Sequence, residues 1–471
     1  MSPILAPNAI WRTHDALAGV LVDGRDYYRA FYEAARHATR SILLLGWQFD
    51  SDVLLLRGED APHGHTRGDL ELLGFLDGLC RTRPDLEVRV LAWDYSLVFA
   101  LEREAFQKVV FDVATCKRFQ FRWDDTAPLP GSHHQKVAIV DGRIAFLGSQ
   151  DICQSRWDDS AHVADNPLRT CRGGTPYQPY HEVQAMVTGD AARSLVDLFV
   201  ERWRVATGEP LDAEGLVSRG DHEVPPVTLP LPRARVALAR TMPRGAGHEP
   251  AHEIREQLVR AIRGAERLVY TETQYLTSGA VRDALEDRMR DRSRPLEIVV
   301  IVPRRAEKLK EELTVGLAQR SVLAELARAA EENGHRLGVY DVAAGGDASV
   351  YVHSKLLVVD DRFLTIGSAN LTNRSMTIDS EINASWEASS ADRELARAIR
   401  RVRVRLLLEH LGDGADVRAV VRPAGLVDRL DAIARARAGR LRMHPTDDEE
   451  QSLFARTMHG LALEYLDPAA A

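Results

Sequence analysis

Two stretches of this chain carry the same spaced set of reactive side chains. The first is His134-Gln-Lys136, with Asp141 and then Gly148-Ser149; the second is His353-Ser-Lys355, with Asp360 and then Gly367-Ser368. Both read His-x-Lys-x4-Asp-x6-Gly-Ser. One such match is weak, whereas two that share an extension are not coincidental. Imidazole is reactive in both protonation states near neutral pH. Two of them suit a phosphodiester: a neutral ring attacks phosphorus, and a protonated ring delivers a proton to the departing oxygen. Lys136, Lys355 and the turns at Ser149 and Ser368 would hold the non-bridging oxygens and offset developing charge. No metal or other cofactor is required, and the text shows no acidic or His-rich ligand cluster. Each ring also needs an acceptor on its second nitrogen. The first half offers Glu182 and the second offers Glu381.

The residues between His and Gly-Ser indicate the elements that position them. Val137 to Val140 and Leu356 to Val359 are apolar, as are Ile144 to Leu147 and most of Phe363 to Ile366. Each motif therefore predicts two short strands around a tight turn, Asp141-Gly-Arg143 or Asp360-Asp-Arg362. His and Lys stand at i and i+2, on one side of an extended segment. At about 3.3 Å per residue the aspartates lie well away from the lysines, so Asp141 and Asp360 read as structural, fixing the turns.

The surrounding text repeats as well. A helical stripe at Tyr28 to Ala38 and a strand at Ser41 to Leu45, ending near Trp47 and Phe49, are echoed by Ile254 to Ala265 and Arg267 to Glu272, ending near Tyr275. Further helices are predicted over about 68–80, 101–114 and 307–333. Strands at Val183 to Val187 and Ile382 to Trp386 each precede a helix. The reading is α/β, two repeated domains over 1–222 and 235–424, joined by a proline-rich linker at 223–234. A helical tail with an acidic patch at Asp447 to Glu450 follows over 425–471. His133 and His181 read as structural neighbours of the site. Trp47, Phe49 and Tyr275 read as core or as a rim, and Arg400 to Arg405 as the solvated face of a helix.

The 471 residues are ample for two or three domains, and their 45% hydrophobic content is that of a globular protein. The net charge of -8 tilts against a nucleic-acid backbone as main partner. Cys80, Cys116, Cys153 and Cys171 form no Cys-x2-Cys pair, so zinc binding through cysteine has no support; Cys153 and Cys171 read as free thiols rather than a disulfide. Met1 to Val20 lacks the pattern of a signal peptide, and no run suits a membrane span. The chain reads as cytoplasmic or peripheral to a membrane.

With these motifs the chain resembles the phospholipase D superfamily, and specifically its two-motif phospholipases D. The resemblance extends from about residue 18 to 410. It includes Val20-Leu-Val-Asp-Gly24, His133-His-Gln-Lys136, Arg156-Trp-Asp158, Tyr180-His-Glu-Val183, Glu201-Arg-Trp203, Glu272-Thr-Gln-Tyr275 and Tyr351-Val-His-Ser-Lys355. It implies two α/β repeats packed face to face with one shared site at their interface. It implies a phosphohistidine on His134, His353 as acid, and phosphate contacts from Lys136, Lys355, Ser149, Ser368 and Asn370. The first copy departs from the pattern at Gln150-Asp151, which lacks the counterpart of Asn370, and at Glu182, where relatives often have Asp. The implied partners are a glycerophospholipid at a membrane surface and water or a primary alcohol, with the chain acting as a monomer. A cardiolipin-synthase-like transferase, a superfamily nuclease or other phosphodiesterase, and a scaffold with a retired site are the other readings.

Overall fold

The run Ser41–Gly46 is buried at every position because it becomes an interior strand, with parallel and antiparallel neighbours on its two sides. The computed structural model describes residues 3–94, 110–111, 114–128, 130–220, 222–245, 249–307, 312–446 and 467. In the first repeat the strands are β1 (Arg12–Val22), β2 (Ser41–Gly46), β3 (Glu87–Trp93), β4 (Phe119–Asp124), β5 (Val137–Val140), β6 (Ile144–Gly148), β7 (Tyr180–His181) and β8 (Val183–Thr188). Six of them line up as β4-β3-β2-β5-β6-β8, and β1 follows β8.

The second repeat contains β9 (Leu229–Met242), β10 (Ala251–His252), β11 (Leu268–Glu272), β12 (Glu297–Ile301), β13 (Arg336–Gly345), β14 (Ala348–Val352), β15 (Leu356–Val359), β16 (Phe363–Gly367) and β17 (Glu381–Glu387). Its order, β13-β12-β11-β15-β16-β17-β9, reproduces the first. The leading strands β1 and β9 pair antiparallel and join the halves into one mixed sheet. The linker runs straight into this seam: Leu229 and Pro230 already oppose Val20 and Gly19.

Helices complete the layers, as the repeated α/β reading anticipates. The helix Asp23–Ala35 and the helix Leu72–Thr82 cover the outer face of the first sheet, with Phe31, Leu76 and Val88 in their shared core. Helices Glu253–Arg263, Gly279–Met289 and Leu317–Asn333 do the same for the second. Between the inner faces lies one common core, which takes in Leu43, Leu147 and Val187 from the first repeat and Tyr270, Ile366 and Trp386 from the second. The helices Asp190–Thr207 and Arg393–Leu411 contribute Leu195, Phe199, Ile399 and Leu406 to it. Burying such side chains contributes about 1.5–3 kcal/mol each, so the repeats are not separable shells.

Several expectations are refined. The helix expected at 101–114 falls almost wholly outside the described residues, and so does the acidic patch Asp447 to Glu450. The tail's helix Leu426–Ala436 leads to β18 (Leu441–Met443), which extends the second sheet along β13. The run Arg400 to Arg405 is not simply a solvated face. Arg403 is buried, donating to Asp361 at 2.6 and 3.0 Å and to the Val420 carbonyl. Helical periodicity turned this arginine towards the turn of the second motif, where Asp361 supplies the opposite charge. The four cysteines are free thiols. No helix among the described residues is long and apolar enough to cross a membrane.

Candidate active site

Each motif is anchored by its aspartate, which lies at a turn in a left-handed backbone conformation. Asp141 accepts the backbone N–H groups of Thr39, Arg40 and Ser41 at 2.6–2.9 Å; Asp360 accepts those of Glu266, Arg267 and Leu268 at 2.7–2.9 Å. The carboxylates thus tie the motif hairpin to the start of the neighbouring strand, β2 or β11, a long-range contact beyond the expected fixing of the turn. His222 adds a contact to Asp141 at 2.6 Å. Burial alone would raise the Asp141 pKa, but His222 and the three backbone donors bring it below its ordinary value.

At the other end of each hairpin, the glycines Gly148 and Gly367 allow close approach of the next strand. A Cβ would overlap Gln184 and the Val183 carbonyl in the first case, and Asn383 and the Ile382 carbonyl in the second. The following serines use that proximity. Ser149 Oγ accepts from Val183 N and donates to Val183 O; Ser368 Oγ accepts from Ile382 N and lies against the Glu381 carboxylate. Both serines are fully buried. Their hydroxyls tie down the backbone beside Glu182, between β7 and β8, and beside Glu381 on β17.

The acceptors cross between repeats. His134 Nδ1 lies 3.1 and 3.0 Å from the Glu381 oxygens, and His353 Nδ1 lies 2.9 and 3.0 Å from those of Glu182. The sequence offers one glutamate per half, but each half supplies the acceptor for the other half's histidine. The cause is local backbone pairing. The segment entering His134 runs parallel to Asp379-Ser380, with His134 N donating to Ser380 O at 2.9 Å. The segment entering His353 pairs in parallel with β7, and His353 N donates to His181 O, also at 2.9 Å. Nδ1 of both rings is held by carboxylate, which leaves Nε2 for chemistry.

Charge converges on the same point. Lys136 Nζ pairs with Asp151 at 3.0 Å, and Lys355 Nζ donates to the His353 carbonyl at 2.7 Å. The His353 pKa falls well below 6.5, through burial first and then through Lys355, Arg156, Lys136 and His134. Lys355 is also pushed well down by burial, with Glu182 opposing and Lys136 and Arg156 adding to the shift. Burial would raise Glu381, but His134 and the hydroxyls of Ser368 and Ser375 hold it below the ordinary range. Glu381 touches His134 of the first motif and Ser368 of the second, so groups from both motifs meet in one place. Asn370 is buried with Oδ1 unpartnered, so its side chain retains hydrogen-bonding capacity there.

Trp47 lines this site: its ring meets His134 edge-on at 5.4 Å and stands 5.7 Å from Lys136 Nζ. Phe49, by contrast, is core. His133 is buried, held by Ser380 at 2.9 Å and Asp124 at 3.2 Å, in keeping with a structural role. Arg156, given no role from the sequence, has its guanidinium 3.9 Å from Glu182 and over the Tyr180 ring. Asp23, His162, His181 and Glu409, also unassigned as a group, gather into a buried cluster. This corrects the expectation that no His-rich or acidic ligand cluster exists. Four separate stretches build it, so no spacing announces it.

Duplicated sheets, two His-Lys pairs and exchanged glutamates define a class of two-motif proteins built from paired repeats. The chain belongs to the phospholipase D superfamily: residues 34–226 match the family model "Phospholipase D", and 258–408 match "Cardiolipin synthase, PLD-like domain". Phospholipase D alpha 1 of Zea mays is 24% identical over 571 aligned positions, covering 92% of this chain and 69% of that protein. Phospholipase D A of Dictyostelium discoideum is 23% identical, covering 83% of this chain. The chain spans only 35% of that relative's length. In fold it is similar to phosphatidylserine synthase of Haemophilus influenzae Rd KW20, at a TM-score of 0.53 and 13% identity, covering 90% of this chain and 96% of that one.

Proposed function

We propose that the chain is a phospholipase D that cleaves the distal phosphodiester of a glycerophospholipid at a membrane surface. The observation that carries this reading is the crossed pair of His–Glu dyads, which commits both repeats to one centre. His134 Nε2 attacks phosphorus, and the bond to the head-group oxygen breaks. That oxygen takes the proton of His353, and the head-group alcohol departs. The phosphatidyl group is then on His134. His353, now neutral, removes a proton from water, whose oxygen displaces His134 and yields phosphatidic acid. A primary alcohol in place of water yields a new phosphatidyl ester. Lys136, Lys355 and Asn370 hold the non-bridging oxygens. Burial, and after it the neighbouring cations, lowers the His353 pKa, and an anionic phosphate bound among those cations offsets their charge, which favours the protonated ring that the acid step needs.

The test is incubation with mixed phosphatidylcholine, phosphatidylethanolamine and phosphatidylglycerol vesicles containing ethanol. Phosphatidylethanol together with released head-group alcohol is the expected result. No lipid turnover at high enzyme concentration overturns the reading. Transfer to a lipid alcohol is a second reading, favoured by the family model that matches residues 258–408. Cardiolipin formed from phosphatidylglycerol alone, with no hydrolysis, would select it.

A further inference from the structure

We propose that Asp23, His162, His181 and Glu409 form a structural binding site for a divalent cation of the zinc class, directly behind the His353–Glu182 dyad. Asp23 opens the first helix, and His162 lies in the long loop between β6 and β7. His181 is on β7, and Glu409 lies near the end of the helix Arg393–Leu411 in the second repeat. All four are buried, none more than 4% exposed.

Their ligand atoms surround one point. His181 Nδ1 stands 2.9 Å from Asp23 Oδ1 and 2.9 Å from Glu409 Oε1. His162 Nε2 stands 3.3 Å from Glu409 Oε1 and 3.6 Å from Asp23 Oδ2. Tetrahedral zinc with bonds of about 2.0–2.1 Å to nitrogen and oxygen separates its ligands by roughly 3.3 Å, the middle of that range. Two of these atoms, His181 Nδ1 and Asp23 Oδ2, are buried without a directed hydrogen bond. At His181 Nδ1 and Asp23 Oδ2, proximity without direction is the geometry of atoms aimed at a common centre, while His162 Nε2 and Glu409 Oε1 also meet as a hydrogen bond at 3.3 Å.

The surrounding groups fit ligand roles. The far nitrogen of each imidazole meets a carboxylate: His162 Nδ1 lies 2.9 Å from Asp158, and His181 Nε2 lies 3.0 Å from Glu272. That is the support given to metal-bound histidine, since it fixes the tautomer and strengthens the ligand. Arg169 neutralises Asp158 at 3.0 Å, and Arg405 takes the second oxygen of Glu409 at 2.7 Å. His410 caps the other Glu272 oxygen at 2.8 Å. The site would clamp the long loop and both repeats together. It also adjoins the dyad, because the His181 carbonyl accepts His353 N and Asp23 accepts Glu182 N.

The experiment uses the full chain, stripped with chelator and then exposed to zinc. The expected result is about one zinc per chain after gel filtration, and a melting temperature raised by roughly 5 °C or more. X-ray absorption on the wild-type protein should show two imidazole nitrogens and two oxygens around the metal. His162→Ala and Glu409→Gln should abolish binding, whereas His134→Asn should keep it, which excludes capture by the catalytic histidines. Should the two cluster variants fail to fold, the wild-type absorption spectrum and stoichiometry decide. Less than about a tenth of a zinc per chain with no thermal shift from zinc, cobalt or manganese overturns the proposal, and leaves a network held by protons. Zinc retained by both cluster variants, or a shell containing sulfur, overturns it as well. None of these readouts depends on the lipid reaction.

Discussion

Nδ1 of His134 lies 3.0 Å from a carboxylate oxygen of Glu381, and these residues belong to opposite repeats. The exchange means that neither copy contains a complete dyad. Glu381→Gln should therefore act through His134, and Glu182→Gln through His353. Each should lower kcat by about 10²–10⁴-fold through loss of imidazole orientation. In double variants, Glu381→Gln should add little to His134→Ala, while pairs drawn from different dyads should behave otherwise. Steady-state kinetics on a vesicle substrate reads both. Coupling within each repeat instead of across it would refute the exchange.

The turn aspartates should separate stability from chemistry. Asp360→Ala orphans three backbone N–H groups and should cost about 2–4 kcal/mol in unfolding free energy. At low temperature kcat should remain within about twofold, because no reacting group moves. Chemical denaturation alongside an activity assay checks this. A loss of kcat without a loss of stability would place Asp360 in the chemistry.

Acid–base behaviour offers an independent reading at Asp141 and His222. The hydrogen bond to Asp141 raises the His222 pKa, with burial opposing. A raised imidazole stabilises the fold fully below its unfolded value of about 6.5, and that contribution is lost as pH rises through the folded value. The depressed Asp141 works in the other direction, with its contribution lost as pH falls below about 3.9. The gap in melting temperature between wild type and His222→Gln should be widest near pH 5–6 and should close as pH rises further. Thermal melts across pH 5–9 measure it, and a constant gap would dissociate His222 from Asp141.

Local features of this fold are legible in the sequence, and long-range ones are not. The motif strands and their turns are local, so spacing and alternation disclose them, whereas the anchoring of Asp141 on Thr39 to Ser41 and of Asp360 on Glu266 to Leu268 spans about a hundred residues and is not legible there. The duplication is legible because both copies kept their apolar rhythm. The exchange of Glu182 and Glu381 is not, because it depends on β7 lying beside β14 across the repeat boundary. The hydrogen bonds of Ser149 to Val183 and of Ser368 to Ile382 are likewise hidden, because they need β8 beside β6 and β17 beside β16. Arg403 reads as a surface charge until helical phase points it at Asp361. The cluster at His162 draws on four unrelated stretches, each unremarkable by itself.

In the proposed reaction two imidazoles from different repeats act on one phosphorus, His134 as nucleophile and His353 as acid and then base. A phosphatidyl ester with a p-nitrophenol leaving group needs no acid, so His353→Asn should release about one p-nitrophenolate per chain and then stall. Mass spectrometry after rapid quench should find the phosphatidyl group on His134, and His134→Asn should give neither burst nor adduct. An adduct on His353 in the wild-type protein contradicts the assignment of roles. Absence of any adduct and burst in His353→Asn, with wild-type turnover intact, contradicts the covalent mechanism itself.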